Sequence, residues 1–508
     1  MNRDIKHTNS SCKVELFHFV NTDVIEDINK TSLKEHASLM KIKRETIINP
    51  IIECNLSKNI ANFRGTFDLI FKPTKNWKKA IRPGDWVVIY LGIDGNEVPR
   101  MLGNVDRVSR VVSVNDKGIK TILYKISGSN FGKVLDKYNV FWNPYILDVK
   151  AEQLLIHRES VRFIGRPDEV VKDWIDVFLG YGRKRKDNET YEELNQWFIP
   201  NELTEIFSAE KGSSSLGAKF YDILNLDLAR TEGKRSWSNI GSMEGTLSDL
   251  IRRSSNSMIN EIFLEIEKNP NDPNSFSPTM KMRMIPFAQK NYDFGTNIDE
   301  THATRFLEID GVKITTSDIL AEDLGESDHT KFNLFFLGSQ LPNISGRALV
   351  AGSSDGAEPR YPRPVKGSIR RNGLVVKWQT TEYTLLSDTG KDDDFKLLKD
   401  WNNLLFHWYN KDFKYETGSM VIVGNPEIKL GKRLEIEDNA LGENRNYYIE
   451  GYTDTWAYPN RWMTTLQLTR GQDTDENPIF ESQAKHTDEI GITSVVEGFH
   501  KSKKKDNK

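Results

Sequence analysis

From residue 47 to about 132 apolar side chains recur at every second position. Phe67, Leu69 and Phe71 alternate with Asp68, Ile70 and Lys72, the pattern of a strand with one buried face. Pro73 stops that run, and Trp77 follows in a short basic connection. Arg82-Pro83-Gly84-Asp85 then predicts a turn, because proline presets φ and glycine tolerates positive φ. A second strand is expected in Trp86-Val87-Val88-Ile89-Tyr90-Leu91, and the two together read as a β-hairpin unit. Further strands are expected at 51–54, 101–114 and 119–127. Asp94-Gly95-Asn96 and Asn115-Asp116-Lys117-Gly118 supply turn chemistry between them. The first 46 residues read as an arm holding one short strand near Val14–Val20 and a helix over 33–43.

After Pro167 the period becomes helical. Val170, Val171, Trp174, Ile175, Phe178 and Leu179 share one face, with Pro167 and Asp168 as start chemistry. A second helix is predicted over 246–267, then a proline-rich loop over 269–278 and an extended stretch over 281–287. Strands are predicted at 306–309, 312–315 and 332–337, with a helical or turn segment over 319–328 between them. Residues 351–366 read as a long surface loop. Asp392-Asp393-Asp394 opens an amphipathic helix striped by Leu397, Leu398, Trp401, Leu404, Leu405 and Trp408. Acids at a helix start complement its dipole, which is sufficient reason for them. From 418 to 470 the period is two again, in four predicted strands, and the polar end of the chain reads as a disordered tail.

Composition narrows the function classes. A chain of 508 residues is long enough for about three domains. Its 37% hydrophobic and 28% charged content is that of a soluble globular protein, and its net charge of −3 lacks the basic excess of a general nucleic-acid binder. No apolar run reaches the ~20 residues that span a bilayer, and the N-terminus has no signal-peptide pattern. Cys12 and Cys54 are too few for a disulfide framework and read as reduced thiols. The basic run Arg183-Lys184-Arg185-Lys186 has no interleaved aromatics, so a solvated loop explains it better than a nucleic-acid patch.

Catalytic chemistry is sparse. The nine histidines give no HExxH, HxH or Cys/His spacing, and there is no GxSxG elbow or Walker loop. His302 and His329 lie in an acidic neighbourhood with Asp299, Glu300, Asp323 and Asp328, which ordinary surface polarity explains. The expectation is a non-enzyme with no cofactor and no metal.

Four stretches, in order, resemble the baseplate hub (tail hub, or late control protein) family of contractile phage tails. They are Gly65-Thr66-Phe67-Asp68-Leu69 with Arg82-Pro83-Gly84-Asp85-Trp86; Ser255–Phe263 with Arg283-Met284-Ile285-Pro286-Phe287; residues 314–328 with Asn333; and Gly424-Asn425-Pro426 with Tyr447–Tyr452 and 464–471. The resemblance covers about 50–472 and implies a β-rich α+β chain forming a ring-shaped homotrimer. Its domains would be an arm (1–46), a first tube-like β-barrel (47–160), a mixed α/β middle (161–300), a second tube-like β-barrel (301–472, with a helical insertion at 391–411) and a tail (473–508). Three chains with two barrels each would join a sixfold tube to a threefold spike. Implied partners are tail tube, central spike, tape measure and surrounding baseplate proteins, with DNA passing only in transit and no membrane. The implied location is the virion tail, assembled in the host cytoplasm. Fold-determining residues would be Phe67, Leu69, Pro83, Gly84, Asp85 and Trp86 in the first barrel and Gly424, Pro426, Tyr448 and Leu466 in the second, with Arg107 a candidate tube contact. Rival readings are a tail-associated peptidoglycan hydrolase and a receptor- or carbohydrate-binding tail protein.

Overall fold

The computed structural model describes residues 9–20, 41–114, 118, 120–137, 139–142, 165–179, 224–235, 243–269, 272–289, 292–294, 298–339, 363–381, 383–384, 391–437 and 444–473. Outside them lie most of the expected helix over 33–43, the basic run Arg183-Lys184-Arg185-Lys186, most of the loop over 351–366 and the tail from 474 on.

The strands of the first β-rich stretch are β1 (Ser10–Val20), β2 (Lys41–Ile47), β3 (Ile51–Asn59), β4 (Asn62–Phe71), β5 (Trp86–Ile93), β6 (Asn96–Val114) and β7 (Lys120–Asn130). The middle contributes α1 (Pro167–Leu179), β8 (Asn225–Leu228), α2 (Leu247–Ser254), β9 (Asn260–Asn269) and β10 (Asp272–Met284). The second β-rich stretch holds β11 (Gly311–Thr315), β12 (Ile319–Gly325), β13 (Leu334–Ser339), β14 (Val376–Thr381), α3 (Lys391–Tyr409), β15 (Glu416–Val423), β16 (Arg433–Glu437), β17 (Asn444–Ala457) and β18 (Arg461–Asp473).

Thirteen of these strands form one sheet, in the order β12-β15-β18-β17-β3-β4-β7-β6-β5-β1-β2, with β16 beside β17 and β11 beside β16. The two β-rich stretches are therefore joined edge to edge. Residues Gly451 to Ala457 of β17 pair antiparallel with Asn59 to Glu53 of β3.

The two halves repeat one topology. In the first, β4 lies beside β7, β7 beside β6 and β6 beside β5; in the second, β15 lies beside β18, β18 beside β17 and β17 beside β16. β3 flanks β4 as β12 flanks β15. β2 is parallel to β5 through the intervening β1, and β11 is parallel to β16 directly. The halves differ most between their first paired strands. β3 and β4 meet in a tight hairpin at Asn59 and Asn62, whereas β12 and β15 are separated by residues 326–415, which hold β13, β14 and α3.

β5 is buried on both faces, which is why its sequence is an unbroken apolar run. Trp86, Val88 and Tyr90 face a core with Val170, Val171, Trp174 and Ile175 of α1, Leu247 and Ile251 of α2, and Ile262 and Leu264 of β9. Val87, Ile89 and Leu91 face a second core with Leu16, Phe67, Leu69, Phe71 and Trp77. Cys12 and Cys54 are buried in that second core as free thiols, and burial pushes the Cys54 thiol up. The stripe of α3 packs as its spacing predicts, with Trp401 and Trp408 against Met258, Ile259, Met284 and Phe294.

Several local expectations are corrected. β4 and β5 are not a hairpin: β7 and β6 lie between them, and the 72–85 connection carries the chain across. The helix predicted over 246–267 ends at Ser254. Thr246 and Asp249 cap its start reciprocally, and Asn256 at φ +53° turns the chain into β9. From there alternate side chains face different surroundings, so the true period is two. Residues 272–278, expected as a loop, belong to strand β10, in which Asp272, Phe276, Ser277 and Pro278 pair with β9, Pro278 opposite Ile266. The helical or turn segment over 319–328 begins as strand β12, and Phe306–Glu308 is a 3-10 turn instead of a strand. Residues 10–20, within the stretch read as an arm, form a strand between β5 and β2, with Val14 and Leu16 in the core.

Candidate functional site: a clamped module junction and an exposed hairpin

The Arg82–Asp85 turn closes one end of the first module. Gly84 takes φ +100°, Arg82 N donates to Asp85 Oδ2 at 2.8 Å, and His18 Nδ1 lies 3.0 Å from the same carboxyl. Val105 N donates to Asp85 O, and Gly84 N donates to Val105 O, each at 2.8 Å, so the turn is tied to β6. Phe67 lies across Gly103 and Gly128, where an added Cβ would stand 2.7 and 2.2 Å from its ring. Leu69 is buried beside it. Trp86 points the other way, into the helical side, 6.5 Å from Phe131 between ring centroids.

The second module has its own close approach. Gly424 N donates to Trp462 O at 3.0 Å, and a Cβ on Gly424 would stand 2.2 Å from the Trp462 ring. Gly424→Ala is therefore expected to lower stability by about 1–3 kcal/mol, read as a reduced urea midpoint with an unchanged slope. Leu466 is fully buried in this module's core.

Between the modules lies a buried charge network that sequence reasoning missed. Arg100 of β6 reaches across the junction, its Nε donating to Asp454 Oδ2 at 2.8 Å. Its Nη1 donates to Ile428 O at 2.8 Å and to Pro426 O at 3.1 Å, which gives Pro426 its place. Asp454 also accepts from Thr464 Oγ1 at 2.7 Å and Trp462 Nε1 at 3.1 Å. Glu265 of β9 is ion-paired with Lys58 of β3 and accepts from Tyr452 OH and Leu430 N, both at 3.2 Å. Burial pushes the Glu265 carboxyl up, but Lys58, Arg100 and Lys429 outweigh it and hold it at about 2. Beside it Lys429 donates to Glu267 at 2.6 Å, and Lys281 lies 2.9 Å from the same carboxylate. Arg283 donates to Glu261 at 2.6 Å and to Gly431 O at 2.5 Å, while Tyr448 OH donates to Glu261 at 2.5 Å. First module, middle hairpin and second module thus meet around paired charges, and Arg100–Asp454, Lys58–Glu265 and Lys429–Glu267 each join two different parts of the chain. Its trace in the sequence is the set of acids at 261, 265 and 267 around the apolar residues 262–264 and 266.

The first module also carries a long extension. Beyond Val105 the β6–β7 hairpin still touches the second core through Val108, Ile122, Tyr124 and Ile126, whereas Arg107, Arg110, Val111, Val112 and Val114 are exposed. Asp106 at its base is held low by Lys133 and Ser129 against the opposing effect of burial. Among the described residues, the 106–114 part of β6 pairs only with β7. In the second module β12 is paired only with β15 among the described residues, with Leu320, Ala321, Glu322 and Asp323 all exposed.

The histidines and acids considered for chemistry are not brought together. His302 lies 3.8 Å from Asp299, which caps Thr301, whereas Asp328 pairs with Lys331 at 3.4 Å and Asp323 sits on β12. No cluster of three potential metal ligands occurs among the described residues.

No family model matches the chain, and no curated protein does. Among solved structures, the tail protein from Neisseria meningitidis MC58 is similar over 93% of this chain and 98% of its own, at 10% identity and a TM-score of 0.45. The 43 kDa tail protein of prophage MuSo2 from Shewanella oneidensis is similar over 90% and 98%, at 11% identity and 0.42. A chain of the Francisella PdpA–VgrG complex is similar over 92% of this chain and 53% of its own, at 9% identity and 0.40. The first two of these, which this chain resembles nearly end to end, are tail proteins by name.

Proposed function

We propose that this chain is a structural baseplate hub of a contractile tail, a homotrimer that joins a sixfold tail tube to a threefold central spike. The observation that carries the reading is the repeated strand topology: one chain holds two equivalent modules already joined in a single sheet. Three such chains supply six near-equivalent modules while keeping threefold symmetry elsewhere. The buried charges at the junction support it, because a symmetry adaptor needs its two modules at one fixed angle. Its work in this reading is binding and geometry, with each tube-like module one segment of a barrel around a channel for tape measure protein and DNA. Tail tube, spike and neighbouring baseplate proteins are the partners, and the virion tail is the location.

Light scattering after size exclusion, with negative-stain images of the same sample, tests this reading. A trimeric ring with six peripheral lobes is the expected result, and monomer at every concentration, with or without a spike protein, would overturn it. Arg107→Glu is expected to leave folding stability within about 0.5 kcal/mol, because Arg107 is exposed. The same change should weaken binding to tail tube protein, which co-sedimentation of the two would read.

A further inference from the structure

The internal junction predicts its own counterpart between chains. Within the chain, the far half of β17 (451–457) lies against β3. The strand equivalent to β17 is β6, and the strand equivalent to β3 is β12. Among the described residues, the far half of β6 on the edge away from β7 and β12 on the edge away from β15 are both without a neighbouring strand. We infer that β6 of one copy pairs antiparallel with β12 of the next, and that this contact repeats between chains the β17–β3 junction inside each chain. The inference rests on the hub reading and names the strands that close its ring.

The registers fix which residues meet. Both long hairpins carry a bulge just before the free half begins, at Val105/Arg107 in β6 and at Ile449/Gly451 in β17, so Arg107 corresponds to Gly451. On the other side Asp323 opposes Ser419 as Asn55 opposes Asp68, and Ser419 opposes Gln467 as Asp68 opposes Ser127. Asp323 therefore corresponds to Asn55. Carrying over the pairing of Thr455 with Asn55 sets Val111 opposite Asp323, hence Arg110 opposite Leu324, Val112 opposite Glu322 and Val114 opposite Leu320. On the face shared by the even-numbered residues, Arg110 then has Glu322 and Glu326 as diagonal neighbours, within reach of a long side chain.

The chemistry agrees with that register. The free half of β6 carries Arg107 and Arg110, whereas β12 and residues 326–328 after it carry Glu322, Asp323, Glu326 and Asp328. Val114 is 65% exposed and Leu320 46% exposed, and the pairing would cover both. An uncovered edge strand bearing exposed apolar side chains is a liability for a free chain and is resolved when another strand covers it. A head-to-tail contact gives a closed ring when its rotation returns to the start, and three such contacts alternating with three internal junctions give the six-module ring of the hub reading.

The full-length double variant Val112→Cys with Glu322→Cys tests the register under mild oxidation. The expected result is chain-to-chain disulfides giving covalent species up to trimer, and faster bonding than in Val112→Cys with Leu320→Cys. A charge swap provides the second arm. Arg110→Glu should raise by roughly tenfold or more the concentration at which trimer gives way to monomer. Adding Glu322→Arg should restore assembly despite the loss of the Glu322–Arg445 contact at 3.4 Å within the chain. Trimers that form without bonding 112 to 322 and ignore Arg110→Glu would overturn the pairing and leave the hub reading standing. Wild-type protein that stays monomeric throughout would overturn both.

Discussion

Glu265→Ala is expected to cost about 3–5 kcal/mol, because it leaves the buried Lys58 ammonium without its carboxylate. It also removes the acceptor for Tyr452 OH and Leu430 N. Arg100 stays paired through Asp454 but loses a favourable neighbour, and Lys429 keeps Glu267. The effect should be cooperative and not local, since Glu265 touches all three parts of the chain. The loss should therefore appear as one shifted unfolding transition in urea, and a separate early transition of one module would contradict the clamp. Acid should reproduce part of it. The folded carboxyl lies at about 2 against 4.5 for the ordinary group, so its contribution is full above about pH 4.5 and fades as pH falls toward 2. That difference is worth roughly 3 kcal/mol. In wild type the urea midpoint should fall over that window, and in Glu265→Ala it should fall less.

Trp86→Asp should have the larger effect, a loss of about 5 kcal/mol or more that leaves the chain unfolded or aggregated. Trp86 is 2% exposed and stands where β5 meets the helical side of the sheet, near Phe131. The substitution removes the ring and places a carboxylate in the apolar core that holds Val170, Trp174 and Leu247. Loss of the near-ultraviolet aromatic signal and of the cooperative thermal transition are the readouts. Trp86→Phe keeps most of the apolar volume and should fold, so the pair separates lost packing from buried charge.

Much of the architecture was legible in the local pattern. The alternation at Phe67, Leu69 and Phe71, the stripe from Leu397 to Trp408 and the Arg82–Asp85 turn all took the predicted form. These are elements whose side-chain period equals the backbone period and whose burial is on one side. Reading failed where that condition did not hold. β9 hides glutamates at 261 and 265 in a buried strand, so its hydrophobic pattern looked helical. β12 has almost no buried face, so no periodicity marked it as a strand. β4 and β5 looked like a hairpin because sequence adjacency says nothing about which strand fills the space between them.

The sequence by itself determined that the chain has two β-rich stretches around a middle that includes helix, where the Arg82–Asp85 turn and the 397–408 helix stripe lie, and which aromatic residues of those elements belong inside. Only the tertiary structure decided that the two stretches share one sheet, that they repeat one topology, and that Lys58, Arg100, Glu265 and Asp454 meet at the junction. Local patterns record which face of an element is buried, because hydrophobic burial is a property of each position. They do not record the partner, because hydrogen bonds between strands are made by backbone atoms that every residue carries, and a charge finds its counter-charge hundreds of residues away.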